Sequence, residues 1–279
     1  MFPMTGSSAA CSEMQKILYG KLVAEAYKEK IAPKIKGKTL ALLLAGEDGA
    51  SVAYSKTIVK LTETLGGKVE VYRFPGNVAE KDVLATIDKL NASETVHGIM
   101  PLFPMAEQID ENKIADAILA VKDLDCLNSY NIGEFYAGRS PWAPATARAC
   151  LAILHHYGVE LEGKRAVVIG RSNVVGKPAA NLLLQENCTV TVCHSHTQNL
   201  AEVTATADIL IAAVGKANFV KPFMVKEGAV LIDVGINVTP GGIVGDVSPD
   251  CYQKASAYSP VPGGVGVVAN VMLLQKLAE

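Results

Sequence analysis

The chain has 279 residues, of which 49% are hydrophobic and 6% aromatic, and its formal net charge at pH 7 is -2. This length exceeds the roughly 100 to 200 residues usual for one domain and predicts two domains that share a cleft. The balanced charge gives no electrostatic footprint for nucleic acid or for an anionic membrane surface, so a small molecule is the expected partner.

The sequence also bears on the cellular compartment. The stretch MFPMTGSSAACSEMQ lacks a basic region and a continuous apolar run, and no later segment approaches the roughly 18 unbroken apolar residues that span a bilayer. The six cysteines show no C-x-x-C spacing; they are Cys11, Cys126, Cys150, Cys188, Cys193 and Cys251. These features predict a cytoplasmic protein with reduced thiols and no membrane segment.

The first predicted element is a helix. Ser12 followed by Gln15 has the pattern of a capping box and predicts a helix through about Glu29, with Pro33 beyond its end. The apolar residues expected on one face of this helix are Met14, Ile17, Leu18 and Leu22.

The next segments alternate between strand and helix patterns. In chain order they are KTLALLLAG (38–46, strand), SVAYSKTIVKLTETLG (51–66, helix), KVEVYRF (68–74, strand), AEKDVLATIDKLNA (79–92, helix), VHGIM (96–100, strand) and NKIADAILAV (112–121, helix). Strands that alternate with helices indicate parallel βαβ units.

A second α/β series follows an irregular stretch. Residues 122–144, rich in glycine, proline and polar residues, are the predicted domain boundary and one wall of the cleft. The apolar runs beyond it predict four strands: RAVVIG (165–170), CTVTVCHS (188–195), ADILIAAVG (207–215) and AVLIDVGI (229–236). The predicted fold is therefore two α/β domains that flank a cleft, the C-terminal one a Rossmann-type dinucleotide-binding domain.

The strongest nucleotide motif is RAVVIGRSNVVGKPAANLLL (165–184). A buried strand ends at Gly170, a tight loop follows, and Pro178 suits the first turn of a helix whose free N–H groups favour a pyrophosphate. The motif is not a full G-x-G-x-x-G, because Ser172 replaces the middle glycine, so a turn without a ligand stays open as an alternative. The next strand ends without an acidic residue, and Arg171 with Ser195 favours NADP over NAD.

These motifs occur in an order that resembles the methylenetetrahydrofolate dehydrogenase/cyclohydrolase family along nearly the whole chain. The matching segments are ILYGK (17–21), Tyr54, GIMPLFPM (98–105), KDLDCLNSYNIG (122–133), GRSNVVGKP (170–178), DVGIN (233–237), GDV (245–247) and PVPGGVG (260–266). The resemblance implies hydride transfer from 5,10-methylenetetrahydrofolate to a nicotinamide, often followed by hydrolysis of the methenyl product. It also implies a homodimer.

The resemblance further implies domains and site residues. Residues 1–140 would form the folate-binding and catalytic domain, completed by a C-terminal helix at 266–279, and residues 141–265 would form the NAD(P)-binding domain. The expected cofactor contacts are Gly170, Arg171, Ser172, Ser195 and Ile236. The expected substrate contacts are Tyr54, which stacks on the folate ring, Asp125, which holds the pteridine, and the loop residues Pro262, Gly263, Gly264, Val265 and Gly266. Without the family context, Tyr54 would fit an ordinary core stripe and Asp125 a loop brace.

The departures from the family pattern concern the catalytic groups. Ile58 occupies the position of the family's lysine, four residues after Tyr54, and Leu102 occupies that of its glutamine. Lys56 and Lys60 lie about 200° around a helix from position 58 and are expected to be solvated. The family's P-C-T-P segment is PWAP (141–144) here, and VVAN (267–270) replaces its proline, methionine and threonine.

The preferred hypothesis is an NADP-dependent methylenetetrahydrofolate dehydrogenase without cyclohydrolase activity. Hydrolysis needs a positioned acid-base group, which isoleucine cannot supply, whereas hydride transfer depends chiefly on orientation. One alternative is a bifunctional enzyme that uses another group, and a second is a non-catalytic or altered-substrate paralogue that binds nucleotide and a pterin. No metal site is expected, because no carboxylates accompany His194 and His196.

Overall fold

The computed structural model describes residues 16–279. Its first sheet has three parallel strands in the order β3 (Lys68–Phe74), β2 (Thr39–Ala45) and β4 (Gly98–Pro101). The middle strand is buried at every position, and its alternate residues enter two different hydrophobic clusters, as expected for a strand covered on both faces. The elements of this region are α1 (Gly20–Ile35), β2 (Thr39–Ala45), α2 (Gly49–Thr64), β3 (Lys68–Phe74), α3 (Glu80–Ala92), β4 (Gly98–Pro101), α4 (Glu111–Ala117) and α5 (Ser129–Tyr136).

The second sheet has six parallel strands in the order β1 (Lys16–Ile17), β11 (Ala257–Tyr258), β8 (Val230–Asp233), β7 (Ile209–Ala212), β5 (Arg165–Ile169) and β6 (Thr189–Cys193). Its elements and those around it are β1 (Lys16–Ile17), α6 (Ala145–His156), β5 (Arg165–Ile169), α7 (Gly176–Gln185), β6 (Thr189–Cys193), α8 (Leu200–Thr204), β7 (Ile209–Ala212), β8 (Val230–Asp233), β9 (Asn237–Thr239), β10 (Gly242–Val244), β11 (Ala257–Tyr258) and α9 (Val265–Leu277). Strands β9 and β10 form an antiparallel hairpin outside the sheet. The predicted fold class and the four predicted strands of this region are confirmed.

The prediction for the first helix is wrong within the described residues. Ser12, Met14 and Gln15 lie outside them, but Ile17 and Leu18 precede the helix, which begins at Gly20 and includes Pro33 in its last turn. The reason is tertiary: the backbone N–H groups of Lys16 and Leu18 donate to Ser256 and Tyr258, so the chain joins the second sheet first.

Two further boundaries differ from the predictions. The stretch 122–144 contains a regular helix, α5, whose first turn is capped by the Asn128 side chain accepting from the N–H of Tyr130 at 2.8 Å. Helix α4 ends at Ala117, because the Asn91 amide bonds the Ala117 carbonyl and the Leu119 N–H. The domain limits at residues 140 and 265 stay a prediction.

The C-terminal helix α9 packs against α1 and α6 and so lies between the two sheets. At the start of α1, the Gly20 N–H donates to the Gly263 carbonyl at 2.8 Å, and a Cβ on Gly20 would lie 2.1 Å from the Gly264 carbonyl oxygen. The segments ILYGK and PVPGGVG are therefore in direct backbone contact. Among residues 16–279, no helix combines the length and apolar character needed to cross a bilayer.

Candidate functional site

A cleft of about 560 Å³ lies at the carboxyl ends of β4 and β8, where Met100 and Asp233 form part of its lining. This is the position at which ligands bind in open parallel sheets. The other residues that matter for its chemistry are Tyr54, Thr57, Asp125, Thr146, Ile236, the loop 262–266 and Asn270. The structure thus brings together Tyr54, Asp125, Ile236 and the glycine loop, which are far apart in the chain. We call this space the substrate cleft.

Tyr54 is presented to the substrate cleft by α2. The helix begins after Asp48, whose carboxylate accepts the Ser51 N–H at 2.7 Å, and the next turn places Tyr54 at the cleft with 37% of its surface exposed. Burial, together with the negative charge of Asp125, raises the pKa of the Tyr54 phenol. Tyr54 therefore stays a neutral ring with an accessible surface for an aromatic ligand.

Asp125 lies on the opposite wall and is held by the start of α6. Its Oδ1 accepts the backbone N–H of Ala145 at 2.7 Å, which caps a helix whose own N-cap residue is Pro144. Burial raises the pKa of Asp125 to about 6; the Ala145 N–H and the positive charges of Arg148 and Lys276 oppose that rise. The side chain can therefore present a carboxylate to the cleft at neutral pH.

Ile58 and Leu102 are not among the residues that line the substrate cleft. Ile58 is fully buried and Leu102 is 3% exposed, and both belong to the main hydrophobic cluster, which also contains Met100 and Leu124. The position at which the sequence resemblance implies a lysine is therefore closed apolar core in this chain. The predicted solvation of Lys56 and Lys60 is confirmed, because both are exposed and neither lines the cleft.

The wall nearest β8 rests on two buried acids, Asp233 and Asp246. Asp246 accepts the N–H groups of Val214, Gly215 and Lys216 at 2.6 to 2.9 Å. Asp233 accepts those of Gly235, Asp246 and Val247 at 2.9 to 3.0 Å. Burial raises the pKa of Asp233 to about 6, against the effect of these N–H donors. The acids of DVGIN and GDV therefore fix the loops after β7, β8 and β10.

No structural role was predicted for these acids, although glycines near them in the sequence indicate one. A Cβ on Gly245 would lie 1.8 Å from an oxygen of Asp233, and a Cβ on Gly235 would lie 2.2 Å from an oxygen of Asp246. Gly245 thus lies where its segment approaches Asp233, and Gly235 lies where its segment approaches Asp246. Ile236, which follows Gly235, is 64% exposed at the substrate cleft and faces Gly266.

A second cavity, of about 480 Å³, lies beside the loop between β5 and α7. Gly170, Arg171 and Ser195, three of the five residues predicted to contact a cofactor, line this cavity. His194 and Lys216 line it as well. Ser172 is not part of the lining; its hydroxyl accepts the N–H groups of Val175 and Gly176 at 3.1 and 3.3 Å, and so shapes the tight turn before α7. We call this space the nucleotide cavity.

The two glycines of this loop allow a close backbone approach. A Cβ on Gly170, where φ is +122°, would lie 2.2 Å from the Ala213 carbonyl oxygen. A Cβ on Gly176 would lie 2.2 Å from the Gly170 carbonyl oxygen. The α7 N-terminus therefore packs directly on the end of β5, as a phosphate-binding turn requires.

Lys216 also lines the nucleotide cavity but was not predicted from the sequence as a site residue. Its ammonium group lies 5.9 Å from the centre of the Phe219 ring, and it makes no ion pair with a described carboxylate. Its place in the loop after β7, at the carboxyl end of a parallel strand, is the feature that could have indicated a ligand contact. His194 and His196 contact each other edge to face, and residues 16–279 contain no cluster of three potential metal ligands.

The fold and the two cavities define a two-domain α/β protein in which a Rossmann-type domain lies beside a second ligand cleft. Residues 18–125 match the catalytic domain of the tetrahydrofolate dehydrogenase/cyclohydrolase family, and residues 144–279 match its NAD(P)-binding domain. The chain belongs to this family, as the sequence motifs indicated.

Individual relatives agree with this assignment. The chain is 43% identical over 274 residues to the bifunctional protein FolD of Clostridium perfringens, covering 95% of this chain and 99% of that protein. It is similar to the crystal structure of the bifunctional methylenetetrahydrofolate dehydrogenase/cyclohydrolase from Campylobacter jejuni, with a TM-score of 0.91, 37% identity and coverage of 94% and 97%. It is also similar to the Trypanosoma brucei enzyme complexed with NADP and an inhibitor, with a TM-score of 0.89, 32% identity and coverage of 94% and 96%.

Proposed function

We propose that the protein oxidises 5,10-methylenetetrahydrofolate to 5,10-methenyltetrahydrofolate with NADP in one-carbon metabolism, and that it has no cyclohydrolase activity. One observation carries the proposal. The substrate cleft keeps Tyr54, Asp125 and the glycine loop, while the position of the family's lysine is Ile58, which is fully buried. The geometry therefore supports substrate orientation without the base used for hydrolysis.

The substrate wall suits a pterin. Among residues 16–279, hydrogen bonds reach Oδ1 of Asp125 and not Oδ2, which leaves Oδ2 to accept N–H donors of a pterin ring. The exposed surface of Tyr54 offers a stacking partner to the aromatic ring beyond it. These contacts would hold the one-carbon unit beside Ile236 and the loop 262–266.

The nucleotide cavity suits NADP. Gly170 and Gly176 permit close approach of a pyrophosphate to the α7 N-terminus, while Arg171, Ser195 and Lys216 supply two cations and a hydroxyl for a 2′-phosphate. When bound, NADP supplies the nicotinamide that accepts a hydride from the substrate carbon. The protein orients the two ligands. The substrate cleft is lined mainly by apolar side chains, so it places no positive charge beside the methenyl cation that hydride transfer forms.

The absence of hydrolysis follows from the acid-base groups at the cleft. Both oxygens of Asp233 already accept backbone N–H groups, and the Tyr54 phenol has a raised pKa. Asp125 is engaged with the pterin in the proposed complex. None of these groups is placed to activate a water as the family's lysine is expected to do.

A bifunctional enzyme is the second candidate, because the Clostridium perfringens and Campylobacter jejuni relatives carry both activities in their names. A pKa of about 6 would let Asp125 act as a base near neutral pH. The discriminating experiment follows NADPH formation and methenyl decay in one sample of purified protein. NADPH formation with decay at the spontaneous rate supports the first candidate, and enzyme-dependent decay supports the second.

The proposed assembly is a homodimer. Strand β6 is the edge of the six-stranded sheet, and the apolar side chains of Leu184 and Val192 beside it are 59% and 38% exposed. Leu184→Lys should convert dimer to monomer in sedimentation velocity. Val238→Lys, at a residue 85% exposed on the hairpin, is the matched control and should stay dimeric. A monomeric parent would rule out this assembly.

The proposed compartment is the cytosol. All five cysteines among residues 16–279 are buried and free, which suits a reducing environment. Fractionation of cells that express the full chain should recover it with soluble cytosolic markers, and recovery with membranes would contradict the proposal.

A further inference from the structure

Lys276, near the end of α9, reaches the loop that carries Asp125. Its Nζ donates to the carbonyl of Asp123 at 2.5 Å and to that of Ala120 at 3.4 Å, and it lies 3.6 Å from Sγ of Cys126. No described carboxylate lies within ion-pair distance of this ammonium group. Among the described residues, its hydrogen-bond partners are therefore uncharged atoms, and its charge acts on nearby carboxylates through space.

The loop that Lys276 contacts is an unusual piece of backbone. Cys126 has φ of +53°, in the left-handed region that non-glycine residues rarely adopt. The buried Asp123 carboxylate accepts the N–H groups of Leu127 and Asn128 at 3.2 and 3.0 Å and so fixes the turn after Asp125. Lys276 donates to the backbone carbonyl of Asp123 and so bonds the same turn from the other side. Hydrogen bonds therefore hold the backbone both before and after Asp125.

Helix α9 links this loop to the opposite wall of the substrate cleft. The helix begins at Val265 in the glycine loop and reaches Lys276 after eleven residues, or about 16 Å at 1.5 Å per residue. Its middle residues Ala269 and Asn270 line the cleft. The position of the Asp125 loop relative to the glycine loop therefore depends on the bonds at the end of α9.

We propose that Lys276 is a positioning residue for Asp125: its ammonium group holds the 120–126 loop in place and sets positive charge beside the carboxylate that binds the pterin. The proposal rests on the proposed function for the role of Asp125. The groups that face Asp125 are Tyr54 from α2, Asp123 and Cys126 from the same loop, Arg148 from α6 and Lys276 from α9. Burial and, less strongly, Asp123 raise the pKa of Asp125, while the Ala145 N–H, Arg148 and Lys276 lower it, and the balance of these effects is a pKa of about 6.

The sign of the expected pH effect follows from this balance. Without Lys276, the ionised form of Asp125 loses a favourable charge, so its pKa rises, by at most about one unit because the two groups lie beyond ion-pair distance. The acidic limb of the pH profile for turnover then moves to higher pH. At a pH between the old and new limbs, kcat/KM falls by up to about tenfold.

The test uses full-length Lys276→Gln, Lys276→Met and Lys276→Arg, with Lys34→Met as the matched control. Lys34 is an exposed lysine in the last turn of α1, 3.8 Å from a carboxylate oxygen of Glu279. Carbon-13 NMR of labelled aspartate carboxyls, with the Asp125 signal assigned by Asp125→Asn, measures the pKa of Asp125 without any need for turnover. Lys276→Gln keeps an amide donor and removes the charge, so it remains informative if Lys276→Met fails to fold.

The expected result is a higher pKa for Asp125 in Lys276→Gln and Lys276→Met, an unchanged value in Lys34→Met, and a restored value in Lys276→Arg. In kinetics, KM for the folate should rise in the Gln variant while the affinity for NADP stays constant. An unchanged pKa for Asp125 in Lys276→Gln would overturn the inference. If the pKa moves but the parent does not oxidise the folate, the proposed function fails and the electrostatic role of Lys276 stands.

Discussion

The nucleotide cavity and the substrate cleft differ in how closely this chain follows the family pattern. At the nucleotide cavity, Gly170 and Gly176 occupy places where a Cβ would collide with backbone at 2.2 Å, so the backbone path itself permits only glycine. Near the substrate cleft, Ile58 and Leu102 belong to the hydrophobic core and do not line the cleft, at positions where the sequence resemblance implies a lysine and a glutamine. A site built from backbone geometry admits little change, whereas catalytic side chains can be replaced by core residues without loss of the fold.

The largest expected effect concerns the substrate cleft, at Asp125. Asp125→Ala removes hydrogen bonds from a charged acceptor to the pterin, each worth about 1.5 to 3 kcal/mol. Loss of two such bonds should lower kcat/KM for the folate about 10³-fold. The dissociation constant for NADP should stay within twofold of the parent, because Asp125 does not line the nucleotide cavity. Normal turnover by this variant would show that another group holds the substrate.

A second prediction concerns the closed core at the lysine position. Ile58→Lys places an unpaired charge where the side chain is fully buried, and should lower the free energy of unfolding by about 3 kcal/mol. Ile58→Met, the size-matched control, should cost less than about 1.5 kcal/mol. Urea denaturation measures both, and equal stabilities would show that this position opens to solvent.

The same position offers a gain-of-function test. Ile58→Lys alone should add little hydrolysis, because Leu102 gives the new ammonium group an apolar neighbour in the same cluster. Ile58→Lys combined with Leu102→Gln should gain cyclohydrolase activity beyond the sum of the two single changes, as expected for residues that act together. Decay of supplied methenyltetrahydrofolate, corrected for spontaneous hydrolysis, is the measurement. Additive effects would contradict the pairing of these two positions.

One methyl group added at Gly176 should disturb the loop between β5 and α7. In Gly176→Ala the new Cβ meets the Gly170 carbonyl oxygen, and the shift needed should cost about 2 to 3 kcal/mol of stability and weaken NADP binding. Gly49→Ala, at a helix start with no heavy atom within 4 Å of the new Cβ, is the matched control. It should match or exceed the parent by up to about 1 kcal/mol in thermal or urea unfolding.

The cofactor preference is the smallest of these effects. Arg171→Ala should weaken NADP about 30-fold and NAD very little, because one charge-assisted bond to the 2′-phosphate is lost. Lys216→Ala should weaken NADP about tenfold through loss of a more mobile charge. Titrations in phosphate-free buffer measure both cofactors. Equal affinity of the parent for NADP and NAD would remove the basis for this assignment.

Local patterns in the sequence predicted most of the fold, because alternation of apolar runs and helix periods is a local property. The first helix was misplaced because Lys16 and Leu18 pair with a strand some 240 residues away, which no local pattern contains. The motifs predicted that Tyr54, Asp125 and the glycine loop meet. They could not predict that Ile58 is buried in the core, that Lys216 lines the nucleotide cavity, or that Lys276 bonds the loop that carries Asp125, since these facts depend on packing between distant segments.

We propose that the protein orients its ligands for hydride transfer but lacks the base for hydrolysis. One assay on the unmodified protein tests both parts together. Purified protein is supplied with 5,10-methylenetetrahydrofolate and NADP, and NADPH and methenyltetrahydrofolate are followed together by their separate absorbances. We expect NADPH to form together with an equal amount of methenyltetrahydrofolate, which should then decay only at its spontaneous rate. Enzyme-dependent decay of the methenyl product, or no NADPH formation, would contradict the proposal.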